Sequence, residues 1–415
     1  VTALYLYDDA QARTFEPFAS TRPLSEMVSG AVLIRERWKS VLQPSETFFL
    51  SGASHEFFDE GIETAPAGGM IPAGSIIANA RCIPTIPADI PNVARRAATC
   101  SMWRSGERLC AVRIKEPIDA RAFADGSMTI DAIAAGTGAI GDVGGWWLDE
   151  VWDLIRLLPE QLTADILAFA SQPYAPRGTV PEHVTVIGNH PVIVLGDSRI
   201  EPHVVLDASA GPILINHDSV IRAFTRITGP CYVGRHTQIL GGELTACSIG
   251  DVCKARGELA NTIFLGYANK GHDGFVGHSY LGRWVNLGAG TITSNLKNTY
   301  GSVALWTPSG ERDTSMQFLG TLFGDHVKTG IGLTLTTGCV LGAGANVYDR
   351  MPPKAVPPFA WGGGAPYTLY RADKFLETAQ RVMARRHVEL SMRMRRHLQS
   401  VHERRWTIDD AMDTP

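Results

Sequence analysis

Residues 215–239 read INHDSVIRAFTRITGPCYVGRHTQI, and Ile215, Ile221, Ile227, Val233 and Ile239 recur at every sixth position. That step fits neither the turn of an amphipathic helix nor the two-residue alternation of a half-buried strand. It is the period of hexapeptide parallel β-helices. Each hexad supplies one short face, and three faces close one coil of a triangular prism. The aliphatic residue points inward and stacks on its equivalent in the next coil, while Gly, Pro or Asn is expected where the chain turns. The same spacing links Val194, Ile200 and Leu206 upstream. It returns at Phe275, Leu281 and Leu287, and again at Leu335, Leu341 and Val347. Unrelated strands at a chance spacing are the competing reading, and five consecutive hits count against it. The repeat predicts a left-handed parallel β-helix over residues 184–360.

Residues 1–180 have a different texture. ALYLYDD (3–9) reads as a strand, Leu33–Leu42 as an amphipathic helix, and GSIIANARCIPTIP (74–87) as a buried strand entering a Pro-rich turn. Val151–Ala170 reads as helical with one break at Pro159. This alternation predicts an α/β domain. Pro173–Pro181 is the expected linker. Residues 367–406 read as one long C-terminal helix carrying Arg381, Arg385, Arg386, Arg393, Arg395 and Arg396. A basic helix of this kind binds membranes or acidic partners, or packs on a neighbouring subunit with its basic face in water. The slightly acidic whole favours the second.

The 415 residues suit two domains. The charged fraction of 19% and the 42 glycines suit a turn-rich β architecture. A net charge of −4 gives no reason to expect nucleic acid or an anionic membrane as partner. The seven cysteines form no CxxC pair, which points to reduced, mostly buried thiols in a cytoplasmic protein. Val1–Asp9 lacks the layout of a secretory signal, and no apolar run is long enough to span a membrane.

A packed β-helix has no deep internal cavity, so chemistry is expected at its turns and subunit boundaries. The densest polar cluster is NKGHDGFVGHSYLGRWVNLGAGTITSNLKN (269–298). Acyl transfer from a thioester needs a base, for which histidine has a suitable pKa range, and donors for the developing oxyanion. His272 and His278 are the candidates for the base. Lys254, Arg256, Lys270 and Lys297 are the nearest cations for a sugar phosphate.

GHDGFVGHSYLGRWVNLGAGTITSN (271–295) resembles, without a gap, the acetyltransferase segment of the bifunctional N-acetylglucosamine-1-phosphate uridyltransferase/glucosamine-1-phosphate acetyltransferase family. The resemblance implies that His272 is the general base. It implies that Asn286 contacts substrate, that Ala289 meets acetyl-CoA through its backbone, and that Asn295 lies near the acceptor amine. Asn286 and Asn295 also fit a simple ladder of turn asparagines. The family's tyrosine is Phe275 here, so one substrate hydrogen bond is absent, and Leu305–Phe318 (LWTPSGERDTSMQF) stands as an insertion. Both leave the acceptor sugar open.

The N-terminal domain resembles the nucleotidyltransferase half of the same family through TRPLSEMVSGAVLIRERW (21–38). Arg22 is retained, but the preceding Gly-rich loop is replaced by DDAQARTFEPFAS (8–20), and the expected lysine is Leu24. Asn79, Ala80 and Arg81 stand where the family's metal-binding aspartate is expected. Arg22, Asn79 and Arg81 are candidates for binding a nucleotide; salt-bridged scaffold is the alternative. No metal site is expected unless this domain is active, when Mg²⁺ is implied.

Three readings follow. The first is an acyltransferase using acetyl-CoA or another acyl-CoA on the amino group of a sugar phosphate or nucleotide sugar. The second is a sugar-1-phosphate nucleotidyltransferase with the β-helix as a trimerisation module. The third is an inactive sugar-nucleotide-binding scaffold. The resemblance implies a homotrimer with a CoA groove between subunits.

Overall fold

The computed structural model describes residues 2–60, 63–64, 69–89, 99–134, 138–172 and 177–407. The chain divides into two compact units. One comprises Val1–Phe15, Ala19–Val151 and Ser391–Val401; the other comprises Glu16–Phe18, Trp152–Leu390 and His402–Pro415. Of the expected linker, residues 173–176 lie outside the described residues.

The first unit is built on a mixed sheet. Its strands are β1 (Ala3–Tyr7), β2 (Glu46–Leu50), β3 (Glu63–Thr64), β4 (Ile76–Asn79), β5 (Met102–Ser105), β6 (Arg108–Arg113) and β7 (Ile140–Asp142). The strand order is β7-β5-β6-β4-β1-β2-β3. β1 runs parallel to β2 and β4, and Tyr7 lies beside Asn79. The carboxyl ends of these parallel strands are where α/β folds place ligands. Helix α1 (Ile34–Leu42) buries Ile34, Arg37, Trp38, Val41 and Leu42, the face its spacing predicts. It stops at Gln43, whose φ of 46° is left-handed.

In the second unit, the predicted break falls between α2 (Asp153–Arg156) and α3 (Leu158–Ser171). Pro159 sits in the first turn of α3, where a missing N–H costs nothing. A parallel β-helix follows. Val194, Ile215, Val233, Ile249, Phe264, Leu281, Phe323, Leu341 and Val356 lie beside one another coil by coil and form one inward column. Leu206, Ile227, Leu244, Leu259 and Val276 form a second. All are essentially buried.

Three expectations are corrected here. Val276, not Phe275, is the inward residue, because the coils shorten after Val233 and carry the hexad out of step. Many corners are turned not by Gly, Pro or Asn but by large residues at positive φ, among them Tyr267 (54°), Trp284 (63°) and His326 (62°). Stacking between coils holds them there: the Tyr267 and Trp284 ring centroids are 4.3 Å apart. The tail is two helices, α4 (Ala372–Ala384) and α5 (Met392–Glu403). His387 is left-handed between them, and the Ser391 hydroxyl caps the next helix by accepting the Met394 N–H at 3.0 Å. Residues 391–401 pack in the chain's own first unit, with Arg396 over Phe57 and the His397 ring bonded to Thr21 O. Leu305–Phe318 contains a hairpin, Ala304–Thr307 against Gly310–Asp313, with Leu305 buried. Among the described residues no helix is long and apolar enough to cross a membrane.

Candidate functional site

In the first unit, Asp8 and Asp9 follow directly on β1. The Asp9 carboxylate accepts the Ala12 N–H at 2.9 Å and the Asn79 amide at 2.8 Å. The Arg81 guanidinium grips it through Nε at 2.9 Å and Nη2 at 2.8 Å. Arg81 also reaches Leu148 O and Asp149 Oδ1. Burial pushes Asp9 up, but Arg81 and the donors outweigh it and hold the carboxyl below its ordinary pKa. Arg108 bonds Asp149 and lies 3.8 Å over the Trp147 ring. Asp9, Asn79, Arg81, Arg108 and Trp147 line a cavity of about 470 Å³ at the carboxyl ends of β1 and β4.

Arg22 lies away from that cavity's lining, buried in an ion pair with Glu60 at 3.0 Å. Where a Gly-rich loop would offer N–H groups to phosphate, the loop instead satisfies itself. Ala12 N–H is taken by Asp9, and Arg13 donates to Asp8 O and Phe123 O. Asp9 is paired with Arg81 at the cavity wall, and no group of three or more metal-ligating side chains is found among the described residues. The cavity is lined by the carboxylates of Asp9, Glu107 and Asp131, of which Asp9 is already paired with Arg81. Sequence reasoning missed Asp9, Arg108 and Trp147, since only the fold brings Asp9 to Arg81.

In the second unit, Asn269 and Lys270 lie beside Lys254 and Ala255. Ala255 belongs to the inward column of Ile200, Ile221 and Ile239, so Lys270 occupies a core position. Its ammonium bends to the corner and donates to Arg256 O at 2.8 Å and His272 O at 2.6 Å. Burial lowers its pKa to about 8. Two of the three N–H groups of Lys270 thus go to main-chain carbonyls of the corner. Arg256 is also engaged, with Asp273 Oδ1 at 2.9 Å and Leu240 O at 2.7 Å.

His272 is exposed on the turn that Lys270 fixes, and no hydrogen bond to its ring is found among the described residues. The next coil stacks on this turn: Gly290 N–H donates to Asp273 O at 3.1 Å. Gly274 permits the approach, because a Cβ there would lie 2.4 Å from Thr291 O. Ala289 sits on the stacked turn, half-buried. Its carbonyl accepts Gly332 N–H at 2.8 Å, and its own N–H has no acceptor among the described residues.

Asn286 and Asn295 fall in different places. Asn286 accepts the Asn269 amide at 2.7 Å. With Lys254 it lines a cavity of about 350 Å³, which also takes Tyr267, Trp284 and Lys328, and Arg385 and Arg386 from the end of α4. Asn295 donates to His278 Nδ1 at 2.9 Å, and the His278 ring stacks on Phe318 at 5.3 Å. Burial lowers His278 to about 4. Phe275 and Asn295 flank Gly277, where a Cβ would meet both within 2.6 Å. Lys297 is half-buried beyond them, near Asp313. Lys328 was missed because the hairpin lengthens its coil: its pairing with Asn286 spans residues that hexad counting skips.

Residues 4–172 match the family model described as sugar nucleotidyl transferase. The chain is 31% identical over 91 residues to the bifunctional sugar-1-phosphate nucleotidylyltransferase/acetyltransferase of Sulfurisphaera tokodaii, covering 22% of this chain and 23% of that one. It is 30% identical over 185 residues to the bifunctional protein GlmU of a Cyanothece species, covering 42% and 35%. A third relative, the bifunctional protein GlmU of Carboxydothermus hydrogenoformans, is 25% identical over 198 residues, covering 43% and 41%. The chain thus spans less than half the length of these relatives. The resemblance to bifunctional nucleotidyltransferase/acetyltransferases holds, at low identity.

Proposed function

We propose that this chain is a sugar-phosphate transferase whose β-helix moves an acyl group from acyl-CoA to an amino group of a sugar phosphate or nucleotide sugar, with His272 as general base. The observation that carries the reading is the stacking of the His272 turn on the Ala289 turn, joined through Gly290 N–H and Asp273 O. An exposed imidazole with no ring partner among the described residues is available to a substrate amine, whereas His278 is tied to Asn295 and held near a pKa of 4. A base that weak is poorly matched to an amine at neutral pH. The corner also fits the donor: Ile331 and Tyr348, both exposed, continue past Ala289 as apolar surface for an acyl-CoA arm.

A bound acyl-CoA supplies the thioester. The acceptor nitrogen forms the new C–N bond as His272 takes its proton. The Ala289 N–H faces the charge that develops on the carbonyl oxygen. The C–S bond breaks, and the proton passes from His272 to the departing sulfur. The homotrimer implied by the family resemblance belongs to this proposal.

The test is free-thiol release from acetyl-CoA with amino-sugar phosphates as acceptors. His272→Ala is expected to lose ~10²–10⁴-fold; equal rates would overturn the assignment. The match of residues 4–172 favours a second reading, nucleotidyl transfer in the first unit. Pyrophosphate release from a nucleoside triphosphate and a sugar 1-phosphate tests it.

A further inference from the structure

We propose that the cavity between the coil face and α4 is an anion site for the phosphate or pyrophosphate group of a small molecule. Lys254, Arg385 and Arg386 line it as cations, and beside them stands the amine of Lys328, which burial lowers to about 7. No acidic residue lines it, and among the described residues none of the four has an ion-pair partner. Neighbouring cations behave differently. Arg256 pairs with Asp273, and Arg381, one turn earlier on α4, pairs with Glu377 at 3.6 Å. Positive charge gathered in one concavity without a carboxylate attracts an anion.

The donors are arranged to serve such an anion. Lys328 is half-buried and gives N–H bonds to Trp284 O and His326 O, which leaves one N–H of its three for a ligand. Asn269 donates to the Asn286 oxygen, so the Asn286 NH₂ has no acceptor among the described residues. Tyr267 and Trp284 stack beside them as a flat apolar wall. Guanidinium groups bind phosphate bidentately, and Arg385 and Arg386 stand at the rim. They more than offset the negative helix end they extend. About 350 Å³ suits a small organic phosphate.

The inference stands apart from the base assigned to His272, because binding is measured without turnover. Calorimetric titration of the full chain with inorganic pyrophosphate is expected to show saturable binding. Arg385→Gln/Arg386→Gln is expected to weaken it at least tenfold, and Lys328→Met to abolish it. Arg381→Gln, which removes one paired charge from the same helix, is expected to change it less than twofold. Displacement of pyrophosphate by a hexose 1-phosphate would mark a sugar-phosphate site, and displacement by ADP a nucleotide site. Absence of saturable binding, or equal weakening by Arg381→Gln and the double substitution, would overturn the proposal.

Discussion

Lys270 Nζ donates to the main-chain oxygen of His272 at 2.6 Å, from a position inside the β-helix where the repeat calls for an aliphatic residue. The lysine holds the turn, and the turn holds the proposed base. Lys270→Met restores an apolar column and removes both carbonyl bonds. The expected result is a kcat about ten- to a hundredfold lower with acceptor KM little changed, since misplacement acts on the reacting geometry. Loss of KM alone would show that Lys270 serves binding instead.

His278 makes a second, opposite prediction. Its pKa of about 4 keeps it neutral above pH 5, so it sets no titration step near neutrality. The acid limb of kcat/KM in His278→Asn should coincide with that of the unaltered chain. Because His278 Nδ1 fixes Asn295, the same variant should raise acceptor KM. A shifted acid limb would transfer the base to His278.

The solenoid was legible wherever coils kept three hexads, as between Ile215 and Val233 or Phe323 and Leu341. It was misread where coils shorten, which put Phe275 in place of Val276, and where the hairpin lengthens one coil and hides Lys328. Periodicity cannot see a lysine that occupies a core column and sends its charge to a corner. The tail carried no Pro or Gly to announce its break, and the Ser391 cap was the only local mark. In the first unit Arg81 was found, but its partner Asp9 lies 72 residues away and only sheet pairing joins them.

That pairing carries a third prediction. Asp9 shares the charge of Arg81 with Asp149, so Asp9→Asn should leave a guanidinium only partly compensated at the cavity at the ends of β1 and β4. In an Arg385→Gln/Arg386→Gln background, pyrophosphate affinity should rise about tenfold, the scale of one added charge-assisted contact. Adding Arg81→Gln should cancel the gain. A gain that survives Arg81→Gln would place the new anion elsewhere.

Asp8, beside it, predicts a pH dependence of stability. Burial raises its pKa to about 7, with the Leu24 N–H at 3.2 Å opposing. The unfolded value is about 3.9. Between these values the folded chain holds a proton that the unfolded chain has released. Stability from this group is therefore present below about pH 4 and lost as pH rises toward 7, after which the buried charge weighs fully. Asp8→Asn removes the charge at nearly constant shape. Urea unfolding should show the unaltered chain losing about 2–4 kcal/mol relative to Asp8→Asn between pH 4 and 8. Lys328, lowered to about 7 by burial, acts with the opposite sign above pH 7, where the unfolded chain binds the extra proton. Any rise in stability just above neutrality should then vanish in Lys328→Met but persist in Asp8→Asn. Parallel curves for Asp8→Asn and the unaltered chain would show that the Asp8 carboxyl is not perturbed.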